Sequence, residues 1–151
     1  MKFRIMLIGA TLLAGMADGS FADCTDSTTQ VVDDSTNPTA LFDLLKNNTV
    51  CVSNGSGGWE NQEYHSTTPD VGGSYQLIDY KLGSDPKDPT GPVGTWRVSG
   101  SGANTIVTYQ YTDGGTYSYT VHTNGPGSLF FCEGTSPHVT VTYKTGLGAC
   151  P

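Results

Sequence analysis

A chain of 151 residues, 36% hydrophobic and 14% charged, is long enough for one core of its own, and its formal net charge is −7. Duplex nucleic acid and anionic membrane surfaces both reward clustered Lys and Arg, so this balance argues against either as a partner. Cys24, Cys51, Cys132 and Cys150 form an even set without the close C-x-x-C pairs of a zinc site. That reads as two disulfides in an oxidising compartment, with no metal and no cofactor.

At the start, Met1-Lys2-Phe3-Arg4 is positive, Ile5 to Met16 is apolar apart from Thr11 and small glycines, and Ser20-Phe21-Ala22 is a small-residue exit. This is the pattern of an export signal cut before Asp23. The apolar stretch falls well short of the roughly 20 residues a spanning helix needs, so no membrane span is expected. The division is then 1–22 signal peptide and 23–151 a single secreted β domain, in the periplasm or the medium. Asp23 to Asn37 is polar and aperiodic, an irregular entry segment. A short helix follows: Asn37 is placed to cap, Pro38 suits the first turn, Leu41, Leu44 and Leu45 fall at helical spacing, and Asn47-Asn48 stops it.

Beyond the helix the period is two. Eight runs separated by Gly, Asn, Asp and Pro predict eight strands: 49–53, 59–65, 75–80, 93–99, 104–112, 116–123, 128–133 and 139–143. One three-residue loop, Asp113-Gly114-Gly115, sets Tyr111 opposite Tyr117, Tyr109 opposite Tyr119 and Val107 opposite Val121. The odd-numbered set continues through Leu129, Phe131, Val139, Val141 and Tyr143, while threonines dominate the even face. Strands with one apolar, tyrosine-rich face must close it, so the fold class is mainly β: a small antiparallel barrel, or else a sandwich, of about eight strands with one short N-terminal helix and two disulfides. Cys132 and Cys51 point away from the apolar face. Three pairings are open to four cysteines; a tail folding back to Cys132 and an entry segment meeting Cys51 favour Cys132–Cys150 and Cys24–Cys51.

Val93-Gly94-Thr95-Trp96 resembles the G-x-W that opens the first strand of lipocalins and avidins, both eight-stranded up-and-down barrels that hold a small ligand. The resemblance covers three residues and falls in mid-chain, so it implies a barrel and carries over no ligand residue. The W-E-x-Q-E-x-H of residues 59–65 and the S-D-P-x-D-P of residues 84–89 are similar to small secreted bacterial proteins of uncharacterised function, which implies export and no particular activity.

The densest run of functional groups is Trp59 to His65. On a strand, Trp59, Asn61, Glu63 and His65 share one face, and Glu60, Gln62 and Tyr64 take the other. Glu63 and His65 form a candidate acid–base pair, and Asp79 on the next strand is a candidate second carboxylate. The ordinary alternative is an exposed strand with Trp59 anchored in the core and the polar groups solvated. His122 and His138 lie on or beside the even face, which places them outside any barrel cavity. No G-x-S-x-G elbow is present. Aromatic residues offer a binding surface, with Trp59, Tyr64, Tyr80 and Trp96 as the candidate ligand contacts. Tyr109, Tyr111, Tyr117 and Tyr119 read as core filling. The sequence thus reads as a secreted, non-enzymatic binding or interaction module for a carbohydrate, a small apolar molecule or a partner protein. A small hydrolase using Glu60, Glu63, His65 or Asp79 is the alternative, and a protein inhibitor using the proline-stiffened Asp85 to Pro92 loop is the third.

Overall fold

A computed structural model describes residues 24–81, 89–123 and 125–151. The expected signal peptide and the Asp85 to Asp88 part of the proline-rich loop lie outside the described residues. Eight strands follow one short helix, α1 (Ala40–Leu45): β1 (Asn48–Ser53), β2 (Trp59–Pro69), β3 (Tyr75–Asp79), β4 (Gly91–Ser99), β5 (Ile106–Tyr111), β6 (Thr116–Thr123), β7 (Ser128–Glu133) and β8 (Ser136–Thr145). Each pairs antiparallel with the next, and β1 pairs with β8, so the sheet is a closed barrel with no open edge. Of the two closures open to the sequence, the barrel is the one adopted.

Alternation decides what lies inside. Val50, Leu77, Trp96, Val107, Tyr109, Val121, Leu129, Phe131 and Val141 form the buried core, and Tyr111, Tyr119, Val139 and Tyr143 pack against it from partly buried positions. The odd-numbered face of the last third is therefore the inner wall, as expected. The hairpin register differs by two residues. Val107 stands opposite Tyr119 and Tyr109 opposite Tyr117, because the loop is Thr112-Asp113-Gly114 and Tyr111 N–H donates to the Gly115 carbonyl at 3.2 Å. A slip of two preserves which face each side chain occupies, so the inner wall is unchanged. Tyr117, carried toward the rim, is 48% exposed.

Helix α1 closes one end of the barrel. Leu41 and Leu45 are fully buried, and Phe42 stacks on Trp96 with ring centroids 5.3 Å apart. The expected Asn37 cap is not used. Thr39 occupies the cap position without a side-chain bond, and the Leu41 N–H is satisfied by buried Asp33 Oδ1 at 2.8 Å. Asp33 is itself fixed by Thr105 Oγ1 and Gly102 N–H, so a distant loop orients the helix start. Asn47, at φ 58°, turns the chain out of the helix and into β1.

The disulfides are Cys24–Cys132 and Cys51–Cys150, which corrects the local pairing favoured from sequence. Cys51 and Cys132 do face outward. What sequence could not supply is which segment lies over each. The entry segment runs along β6, where Val31 N–H donates to the Val121 carbonyl and Thr123 N–H to the Thr29 carbonyl, both at 2.8 Å. This brings Cys24 to β7, beside Phe130. The C-terminal tail crosses the outside of β1 and β2, which are its neighbours only because the barrel closes; there the Cys150 N–H donates to Gln62 Oε1.

Candidate functional site

The end of the barrel opposite α1 holds a cavity of about 120 Å³. Its apolar wall comes from Val50 and Val52 on β1 and from Val139 and Val141 on β8; its aromatic wall comes from Tyr109, Tyr111, Tyr119 and Phe131; its polar groups are Asn61, Glu63 and His138. Eight strands give an interior that side chains can nearly fill, and this barrel is filled beneath α1 and hollow at the other end.

Glu63 is the chemical centre of that wall. The Tyr111 hydroxyl lies 2.8 and 3.0 Å from its two carboxylate oxygens and donates its one hydrogen between them. Burial pushes the Glu63 carboxyl up to about 7; the Tyr111 hydrogen bond pulls it back down, and the nearby charge of Asp79 adds to the rise. Asp79 is the cross-strand partner of Glu63 on β3, which sets the two acidic residues side by side on adjacent strands. Tyr111 is raised above the ordinary tyrosine value, first by burial and then by Glu63, so its hydroxyl remains a donor.

His65 lies deeper. It is fully buried, and Tyr109 O–H donates to its Nε2 at 2.8 Å. Its Nδ1–H donates to the Glu63 backbone carbonyl at 3.2 Å, an assignment fixed because a carbonyl can only accept. Burial lowers its pKa to about 4, so the imidazole is neutral. Trp96 packs edge-on against it at 4.9 Å and sends its indole N–H to the Ser66 carbonyl. His65 therefore belongs to a satisfied polar core between the cavity and the helix, and Glu63 faces the cavity without it.

The other residues singled out from sequence are scattered. Trp96 is fully buried beneath α1. Trp59 is half-buried at the start of β2 opposite Ser53, and Glu60 is exposed on the outer face. Tyr64, also outward, donates its hydroxyl to Asn47 Oδ1 at 3.1 Å. Tyr80 is half-buried just beyond β3, its N–H bonded to the Gln62 carbonyl. None of Trp59, Tyr64, Tyr80 and Trp96 lines the cavity.

His138 corrects its expected placement. The register of β7 against β8 shifts between Phe131 and Cys132, and this irregularity brings His138 to the cavity rim, 5.0 Å from the ring of Tyr119. His122 is on the outer face as expected, but it is covered by the entry segment, with Nδ1 3.0 Å from Thr29 Oγ1. The tyrosines expected as core filling also line the cavity: Tyr109, Tyr111 and Tyr119 do both. The available signal was the parity of β2: once Asn61, Glu63 and His65 share the inward face, the tyrosines opposite them must line a polar site.

Among the described residues, no group of three or more His, Cys, Asp or Glu is placed to hold a metal ion. No helix of these residues is long and apolar enough to cross a membrane. Comparison with protein families, with curated protein sequences and with solved structures finds no match. The molecule is thus defined by its own geometry: a disulfide-stapled, eight-stranded up-and-down barrel, plugged by a helix at one end and hollow at the other.

Proposed function

We propose that this is an exported, non-enzymatic binding barrel that takes one small molecule into the cavity around Glu63. The observation that carries this reading is the cavity: valines on one side, four aromatic rings on the other, and one carboxyl held between them. Two disulfides accord with a life in an oxidising compartment. At about 120 Å³ the space lies below the roughly 300–1,000 Å³ of sites for drug-sized ligands. A compact molecule fits this reading better than an oligosaccharide or a protein loop.

The hydrolase reading has less support. Glu63 and Asp79 are side-by-side partners on adjacent strands, and only Glu63 lines the cavity, whereas glycoside cleavage uses two carboxyls on opposite sides of the bond. Glu60 and His65 lie outside and beneath.

A fragment screen by ligand-detected NMR tests the proposal. Compact amphiphiles should bind the wild type and be displaced from Val52→Phe, which fills the mouth from a half-buried position. Binding that persists unchanged in that variant, or no binding by any compact molecule, rejects the interior site.

A further inference from the structure

We propose that the cavity selects a small organic ammonium ion, with Glu63 as its counter-ion and the rings of Tyr109, Tyr119 and Phe131 as the walls around its positive end. This rests on the binding reading above and names the ligand class for the same site.

The first support is acceptor capacity. An ionised carboxylate offers about four lone-pair positions, and among the described residues the hydrogen bond to the Glu63 carboxylate is from one hydroxyl, that of Tyr111. The remaining capacity faces a cavity in whose wall the described residues include neither Lys nor Arg. A ligand that brings donors and positive charge supplies what this wall lacks.

The second is the rings. Tyr109, Tyr119 and Phe131 have centroids 5.9 to 6.2 Å from one another, so a cation beside one of them is close to all three. Aromatic faces attract ammonium groups within about 6 Å, and more strongly where water is excluded. The third is the field. Asp79 stands beside Glu63 on β3 and adds its negative charge there, and the whole chain carries −7, so an anion would meet repulsion. Val50, Val52, Val139 and Val141 offer the opposite wall to a short alkyl chain.

Butylammonium and butan-1-ol have the same alkyl chain and both donate hydrogen bonds, but only the first is charged. Both are titrated calorimetrically into disulfide-intact protein above the Glu63 pKa of about 7. Butylammonium should bind about tenfold more tightly than the alcohol, and Glu63→Gln should bring it down to the alcohol's level. Tyr119→Leu, which leaves the carboxyl in place, should weaken the ammonium more than the alcohol. Equal binding of the two probes by wild type, or a preference for the alcohol, overturns the cation proposal and leaves the cavity reading standing. So does an undiminished preference for the ammonium in a folded Glu63→Gln. Binding of neither probe overturns both.

Discussion

Glu63 and His65 stand two residues apart on β2 and pull stability in opposite directions as pH changes. Burial raises Glu63 from 4.5 to about 7, so its favourable contribution is complete below its unfolded value and is lost as pH rises from 4.5 through 7. Burial lowers His65 from 6.5 to about 4, so its contribution is complete above 6.5 and is lost as pH falls through 4. Each shift corresponds to about 3 kcal/mol. Between the two unfolded values the slopes oppose and largely cancel. Glu63→Gln removes one of them: its stability relative to wild type should grow by about 3 kcal/mol between about pH 4 and about pH 8, measured by urea unfolding. A difference that stays constant with pH would mean that Glu63 titrates in the barrel as it does in the unfolded chain. The polar layer is also a reason for the hydroxyls of Tyr109 and Tyr111 to be where they are, since phenylalanine at either position would strand the Nε2 of His65 or leave the Glu63 carboxylate without a donor.

At the scale of strands, Gly94 fixes how closely β4 and β5 approach. A Cβ there would lie 2.2 Å from the Gln110 carbonyl oxygen and 2.9 Å from Tyr111 Cα, both backbone atoms that cannot swing aside. Gly94→Ala should therefore cost about 3 kcal/mol in urea unfolding, while Thr95→Ala next to it costs much less. A cost below about 1 kcal/mol would show that the two strands part easily. The G-x-W string of the sequence thus has a local cause here: its glycine admits the neighbouring backbone, and its tryptophan packs under the helix at the plugged end. Alternation made the eight strands and the inward tyrosines legible, because a period of two survives an error of two in register. It could not reveal the Asp33 contact to α1 or the arrival of His138 at the rim. The first depends on a loop distant in sequence, and the second on a strand irregularity that composition does not mark.

For the whole molecule, the pairing of cysteines was the least legible feature, since it depends on which ends of the chain meet once the sheet has closed. The bridges span 108 and 99 residues, nearly the entire described chain. Loops of that length are worth about 4–5 kcal/mol each in lost unfolded-state freedom. That is a large share of the about 5–15 kcal/mol a domain typically has. Adding reductant should lower the urea midpoint steeply, and Cys24→Ser with Cys132→Ser should reproduce roughly half of the loss. An unmoved midpoint under verified reduction would show that side-chain packing alone holds the barrel.

β1 and β8 meet at the seam of the ring, and Cys51 on β1 is bonded to Cys150 just past β8. A ribbon bent into a hoop parts most readily where its two ends join, and here that joint carries a covalent rivet. Among the described residues the hollow lies at the end away from the helix. The circumference of the hoop is thus held by a bond that thermal motion does not open, whatever the state of the hollow.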